Sequence, residues 1–197
     1  YYHEYIYPYT GAYTLPVSTI TENRFWPALG NHDWNSLSCV GETCTGPYFD
    51  YFTLPGNERY YDLVRGSVHF FFIDSDPHEP DGMTSTSLQA SWLQAALAAS
   101  TSPWNLVLMH HPPYSSGKQH GSTLEMQWPY AQWGADVVLA GHDHTYERLL
   151  VDGFPYFVDG VGKETRSFAT NPVVGSVVRY NSNLGALFVE ASEVTLT

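Results

Sequence analysis

Apolar residues along this chain gather in short runs, at residues 25–29, 60–64, 68–73, 106–109, 137–140, 155–158, 177–180 and 186–190. The runs are rich in Val, Leu and Phe and are bounded by Gly, Pro or Asn, which predicts buried β-strands. One segment keeps a different period. Leu88, Trp92, Leu93, Ala96 and Leu97 fall on one helical face, and Ser87 stands where a cap would. A shorter helix is predicted over 124–133, and the Gly- and Pro-bearing stretch 76–83 reads as a surface loop. Strands interspersed with helices predict a layered α/β or α+β domain. No internal repeat or low-complexity tract interrupts it.

Composition narrows the class. With 197 residues, 43% apolar and 14% charged, the chain suits one domain with a real core and not a disordered segment. No uncharged apolar run is long enough to span a membrane. Only 8 basic residues face 20 acidic ones, a formal charge of −12, and such a surface repels nucleic-acid phosphates. It also repels small phosphate esters unless bound cations reverse the field locally.

The two cysteines, Cys39 and Cys44, can close a small disulfide loop or remain a thiol pair. Low Lys content and many Tyr and Trp, with the acidic balance, point to an exported protein, extracellular or periplasmic. Six tyrosines among residues 1–13 suggest a segment packed over other protein.

The histidines carry the chemistry. Three of the apolar runs lead into them: 25–29 into Asn31-His32-Asp33, 106–109 into His110-His111, and 137–140 into Gly141-His142-Asp143-His144. Ligands of layered α/β domains gather beyond the carboxyl ends of strands. Gly30 and Gly141 are read as permitting sharp turns there. A single His at a strand end is more often a core or surface residue than a ligand. Three such ends, one with a His-x-His pair, point to a metal site. Imidazoles with a carboxamide oxygen suit Zn, Fe, Mn or Ni better than Mg or Ca. His-Glu-x-x-His, Gly-x-Ser-x-Gly and the phosphate loop ending in Gly-Lys-Ser/Thr do not occur.

Gly30-Asn31-His32-Asp33, His110-His111-Pro112-Pro113-Tyr114 and the run from Gly141 to Arg148 resemble the later motifs of the calcineurin-like metallophosphoesterases. The surrounding residues are similar to the purple acid phosphatase branch, from about residue 24 to 190. The resemblance implies an α/β fold, a layered αββα sandwich. It implies two divalent or trivalent transition metals, Fe, Zn or Mn, and a small phosphate ester as substrate. Asn31, His110 and His142 would ligate one metal and His144 the other. His32 would face the substrate phosphate, with Asp33 orienting its ring. His120 would protonate the leaving alkoxide, and His111 would be structural.

The family's opening Asp-x-His and Gly-Asp-x-x-Tyr motifs do not occur upstream of residue 30. The expectation is a single domain over 1–197, incomplete at its N-terminal end, with an aromatic-rich segment 1–23 and a core 24–191. Its activity would be metal-dependent hydrolysis of phosphate monoesters, through a dinuclear centre completed by residues outside this chain. A missing N-terminal segment of the same protein would be the partner, and a homo-oligomer stays open. Two rivals stand: a catalytically inactive structural or interaction protein on the same scaffold, and a mononuclear hydrolase.

Overall fold

Seven strands in a single mixed sheet carry the architecture, in the spatial order β3-β4-β5-β6-β8-β7-β9. The computed structural model describes residues 25–41 and 43–197, so the aromatic-rich segment 1–23 lies outside the described residues. The strands are β3 (Tyr61–Arg65), β4 (Val68–Phe72), β5 (Trp104–Met109), β6 (Val137–Ala140), β7 (Tyr146–Val151), β8 (Phe154–Asp159) and β9 (Ser176–Tyr180). β4, β5, β6 and β8 run parallel to one another, and antiparallel pairs close both edges. A separate hairpin, β1 (Ser38–Val40) with β2 (Thr43–Thr45), is clipped by the Cys39–Cys44 disulfide. This mixed sheet with helices is the expected α/β fold.

The predicted helix forms as α3 (Leu88–Ala99), and the Ser87 side chain accepts from the Ala90 N–H. It buries Ala90, Leu93 and Leu97 against Phe71, Val107, Met109, Val138 and Tyr156 of the sheet. The alternate residues of the same strands, Val68, Leu106 and Val137 with Phe70, Leu108, Leu139 and Phe157, form a smaller cluster on the other face. That alternation is the period-two consequence of a pleated strand.

Several elements depart from the sequence pattern. Residues 25–29 are buried at Leu29 but form no strand. Pro27 has no N–H to give a ladder, and its carbonyl accepts from the hydroxyls of Tyr61 at 2.7 Å and Tyr48 at 3.3 Å. Residues 186–190 are irregular too, with Phe188 79% exposed and the Leu187 N–H held by Asp159. The helix predicted over 124–133 breaks at Pro129 into a 3₁₀ turn, Leu124–Met126, and α4 (Tyr130–Trp133). No sequence signal had marked β7, where Glu147 and Arg148 disguise the run. The loop 76–83 is indeed a loop, yet Asp76 and Glu79 within it are buried. The short helices α1 (Asn31–Trp34) and α2 (Pro47–Tyr51) complete the set, and no helix among the described residues is long and apolar enough to cross a membrane.

Candidate metal centre

β5 and β6 lie side by side in parallel, with Met109 opposite Ala140. The residues that follow, His110 and Gly141, therefore emerge together, and the Gly141 N–H donates to the His110 carbonyl at 3.0 Å. The third arm reaches the same place from irregular chain through Gly30, and α1 begins at Asn31. Gly30 is needed for room and not for a turn. Its φ is an ordinary −123°, and a Cβ there would stand 3.0 Å from the His110 ring. The left-handed backbone falls instead on His142, at φ +63°. A non-glycine residue pays for that conformation, and such strain concentrates at functional sites.

Asn31 Oδ1 lies 2.9 Å from His110 Nε2, and His142 Nδ1 lies 3.0 Å from the same nitrogen. His111 joins them, with its ring 4.3 Å from that of His142, while its Nδ1 sits 3.1 Å from Ser75 Oγ. Burial first, then the neighbouring imidazoles His111, His32, His120 and His144, push His110 down to about 3. His142 is held at about 3 by burial and by His111, His110, His120 and His144. Both rings are thus neutral at ordinary pH, with lone pairs available to a cation. Tetrahedral zinc with bonds of about 2.0–2.1 Å keeps its ligand atoms about 3.3 Å apart, close to the 2.9 and 3.0 Å that separate Asn31 Oδ1 and His142 Nδ1 from His110 Nε2. The residues fit one transition metal.

His144 stands apart from that trio. Its Nδ1 is buried and lies 2.9 Å from Glu164 Oε1, but off the direction of a hydrogen bond. Glu164 accepts from Arg166 Nε at 2.8 Å, and the Arg166 hydrogen bond holds its carboxyl below the usual range. Arg166 Nη1 reaches to 3.4 Å from His120 Nε2, and the His120 ring lies tilted 4.0 Å from that of His142. His32 is exposed and lines a cavity of about 650 Å³ together with Asp33, His144 and Lys163. Asp33 accepts from the Gly30 N–H at 3.0 Å, capping the turn that carries His32.

The sequence reading passed over the supports. Asp143, buried between two of the named histidines, accepts from Ser115 Oγ at 2.5 Å and from the Gly121 N–H at 3.0 Å. Glu147 accepts from the Ser116 N–H and hydroxyl, both at 2.6 Å. These two carboxylates pin the loop 115–121 that carries His120. Gly117 is obligatory there, since a Cβ would stand 2.1 Å from Asp143 Cγ. Trp34 Nε1 donates to Asp74 at 2.8 Å and ties α1 to the end of β4. Only spatial proximity reveals these partners, because they stand 22 to 40 residues apart.

Residues 2–146 match the family described as calcineurin-like phosphoesterase. Purple acid phosphatase 21 of Arabidopsis thaliana is 34% identical over 151 residues, which cover 68% of this chain and 33% of that protein. A purple acid phosphatase of Glycine max is 32% identical over 138 residues, 62% of this chain and 29% of that one. In fold, the purple acid phosphatase isolated from yellow lupin (Lupinus luteus) seeds matches with a TM-score of 0.57 at 18% identity, over 68% of this chain and 29% of that chain. The chain thus spans about a third of the length of the curated relatives it matches.

Proposed function

The chain belongs to the calcineurin-like phosphoesterase family, and we propose that it hydrolyses phosphate monoesters through a dinuclear metal centre completed by carboxylates outside residues 1–197. The observation that carries this reading is that Asn31 Oδ1 and His142 Nδ1 stand 2.9 and 3.0 Å from the same nitrogen, His110 Nε2. These three would hold one metal, Fe, Zn or Mn, and His144 would be this chain's ligand to a second. Residues 24–191 would form the domain core.

The bound metals would supply a hydroxide nucleophile near neutral pH and clamp the attacking and leaving oxygens in line. The protein's own groups do the rest. Neutral His110 and His142 present lone pairs without the charge that would repel a cation. His32, at the mouth of the cavity, places its ring against the phosphoryl oxygens and steadies charge that develops there. Asp33 fixes the turn on which that ring is mounted. His120 delivers a proton to the departing alkoxide. The disulfide at Cys39–Cys44 supports export, since such bonds persist in oxidising compartments.

The test is turnover of p-nitrophenyl phosphate by the full-length protein, with metal content measured on the same sample. His32→Ala should keep its metal and lose activity by about 10²–10⁴-fold, the usual weight of one positioned acid–base group. Unchanged activity would remove His32 from the mechanism. Full-length protein with no bound metal and no turnover would favour a structural role for this scaffold.

A further inference from the structure

The disulfide hairpin stands at one wall of the histidine site. The chain leaves α1 through Ser36, makes the hairpin β1–β2, and returns through Gly46 to Pro47 at the start of α2. Ser36, Pro47 and Tyr48 line the cavity of about 650 Å³ with His32, Asp33 and His144. The two feet of the hairpin are pressed together, since a Cβ at Gly46 would stand 2.5 Å from the Ser36 carbonyl oxygen. The hairpin itself is slight. It forms a two-stranded sheet of its own, with strands of three residues each, and such a hairpin is marginal in water. In each strand only the cysteine turns inward, to pack beside the cluster of Leu29, Trp34, Tyr48 and Phe52. The strand residues on either side are exposed, Val40 at 84%. Cys39 and Cys44 face each other in the register, so their bond ties the two strands covalently.

From this placement we infer that Cys39–Cys44 is a redox-operated clip on the cavity wall, so that substrate binding depends on the oxidation state of the pair. The inference rests on the phosphoesterase reading and deepens it by naming a control on the same site. The bond lies half-buried in an exposed hairpin, within reach of a small dithiol, and accessible disulfides are the labile ones. A thiolate of the dithiol attacks one cysteine sulfur and the S–S bond breaks, leaving a mixed disulfide. The second thiol displaces that cysteine, and the dithiol departs as its own disulfide. Two electrons and two protons have then passed to Cys39 and Cys44. With the clip open, the hairpin is left with a ladder of three residue pairs, and Ser36 and Pro47 lose their fixed separation. α1 keeps its own anchors, the Asp33 cap on Gly30 and the Trp34–Asp74 hydrogen bond, so Asn31 and His32 stay in place. The change therefore falls on binding and not on the chemical step.

The test compares oxidised full-length protein with the same protein reduced by dithiothreitol, the free thiols being counted by alkylation and mass spectrometry. On reduction KM for p-nitrophenyl phosphate should rise about tenfold while kcat holds, the pattern of lost uniform binding. Titration calorimetry should show orthophosphate binding weakened by a similar factor. Cys39→Ser/Cys44→Ser should show the raised KM without reductant and no further response to it, which separates the cysteines from any reduction of metal. A bond that stays closed in excess dithiothreitol would overturn the clip, as would KM and orthophosphate binding unchanged after full reduction. A double variant that still answers to the reductant would overturn it too. Turnover absent in both states would sink the hydrolase; orthophosphate binding that weakens on reduction would then keep the clip, and equal binding would overturn it.

Discussion

Among the described residues stand two arginine–carboxylate clusters, one sealed and one open. In the sealed cluster Arg59, 1% exposed, donates from Nε to both oxygens of Glu79 at 3.0 and 3.1 Å and also pairs with Asp81. In the open cluster Arg166 holds Glu164, whose side chain is 48% exposed, beside His144. The chemistry is the same and the consequences are opposite. Burial pushes the Glu79 carboxyl up in spite of its arginine, whereas the arginine pulls Glu164 down because water still reaches it. The sealed pair ties Arg59 to two carboxylates of the loop 76–83. The open pair stays within reach of water beside His144.

Removing the sealed arginine should have the largest effect. Arg59→Met strands buried carboxylates and should cost about 3–5 kcal/mol of folding free energy, read from the denaturant midpoint. A loss below about 1 kcal/mol would show that the cluster is not the anchor it looks like. Next comes Gly117→Ala. Its methyl group would press on Asp143, and displacement of the loop should cost about 1–3 kcal/mol while lowering turnover through His120.

A pH series sharpens the contrast further. Asp74, buried beside the sealed cluster, is held well above the ordinary carboxyl value by burial. The folded state then keeps a proton that the unfolded chain gives up. That contribution to stability is fully present below the unfolded value of about 3.9 and is lost as pH rises through the raised folded value. Asp74→Asn keeps an acceptor for Trp34 and should flatten that decline; an unaltered pH profile would exclude Asp74 as its source. The smallest effect on folding belongs to Glu164→Gln. Its denaturant midpoint should match wild type, yet, on the proposed role of His144 as a ligand, metal affinity should fall about tenfold, as when a carboxylate behind a ligand is lost. Equal metal affinity would make Glu164 a bystander.

Much of the core was legible because β4, β5 and β6 are bounded, apolar and short, and because α3 has a cap and a helical period. What failed did so for local reasons. Pro27 turned an apolar run into irregular chain, Pro129 split a helix, and β7 was hidden because Glu147 is satisfied by serines far along the chain. At the site, histidines at strand ends can be read from the sequence, and the structure brings His32, His110, His111, His120, His142 and His144 near one another. Asp143 and Glu164 could not be read this way, since their meaning comes from what lies across the fold.

Asp143 carries a lesson about drift. In the motif Gly-His-x-His its place is written as a blank, as though any residue would serve. Here that blank holds up the segment 115–121, at least 22 positions away, and Gly117 has given up its side chain to let it do so. Replacing Asp143 would leave Ser115 Oγ and the Gly121 N–H without that acceptor. The least specified letter of the motif and a distant glycine therefore share one space, and a side chain added at Gly117 would press on Asp143.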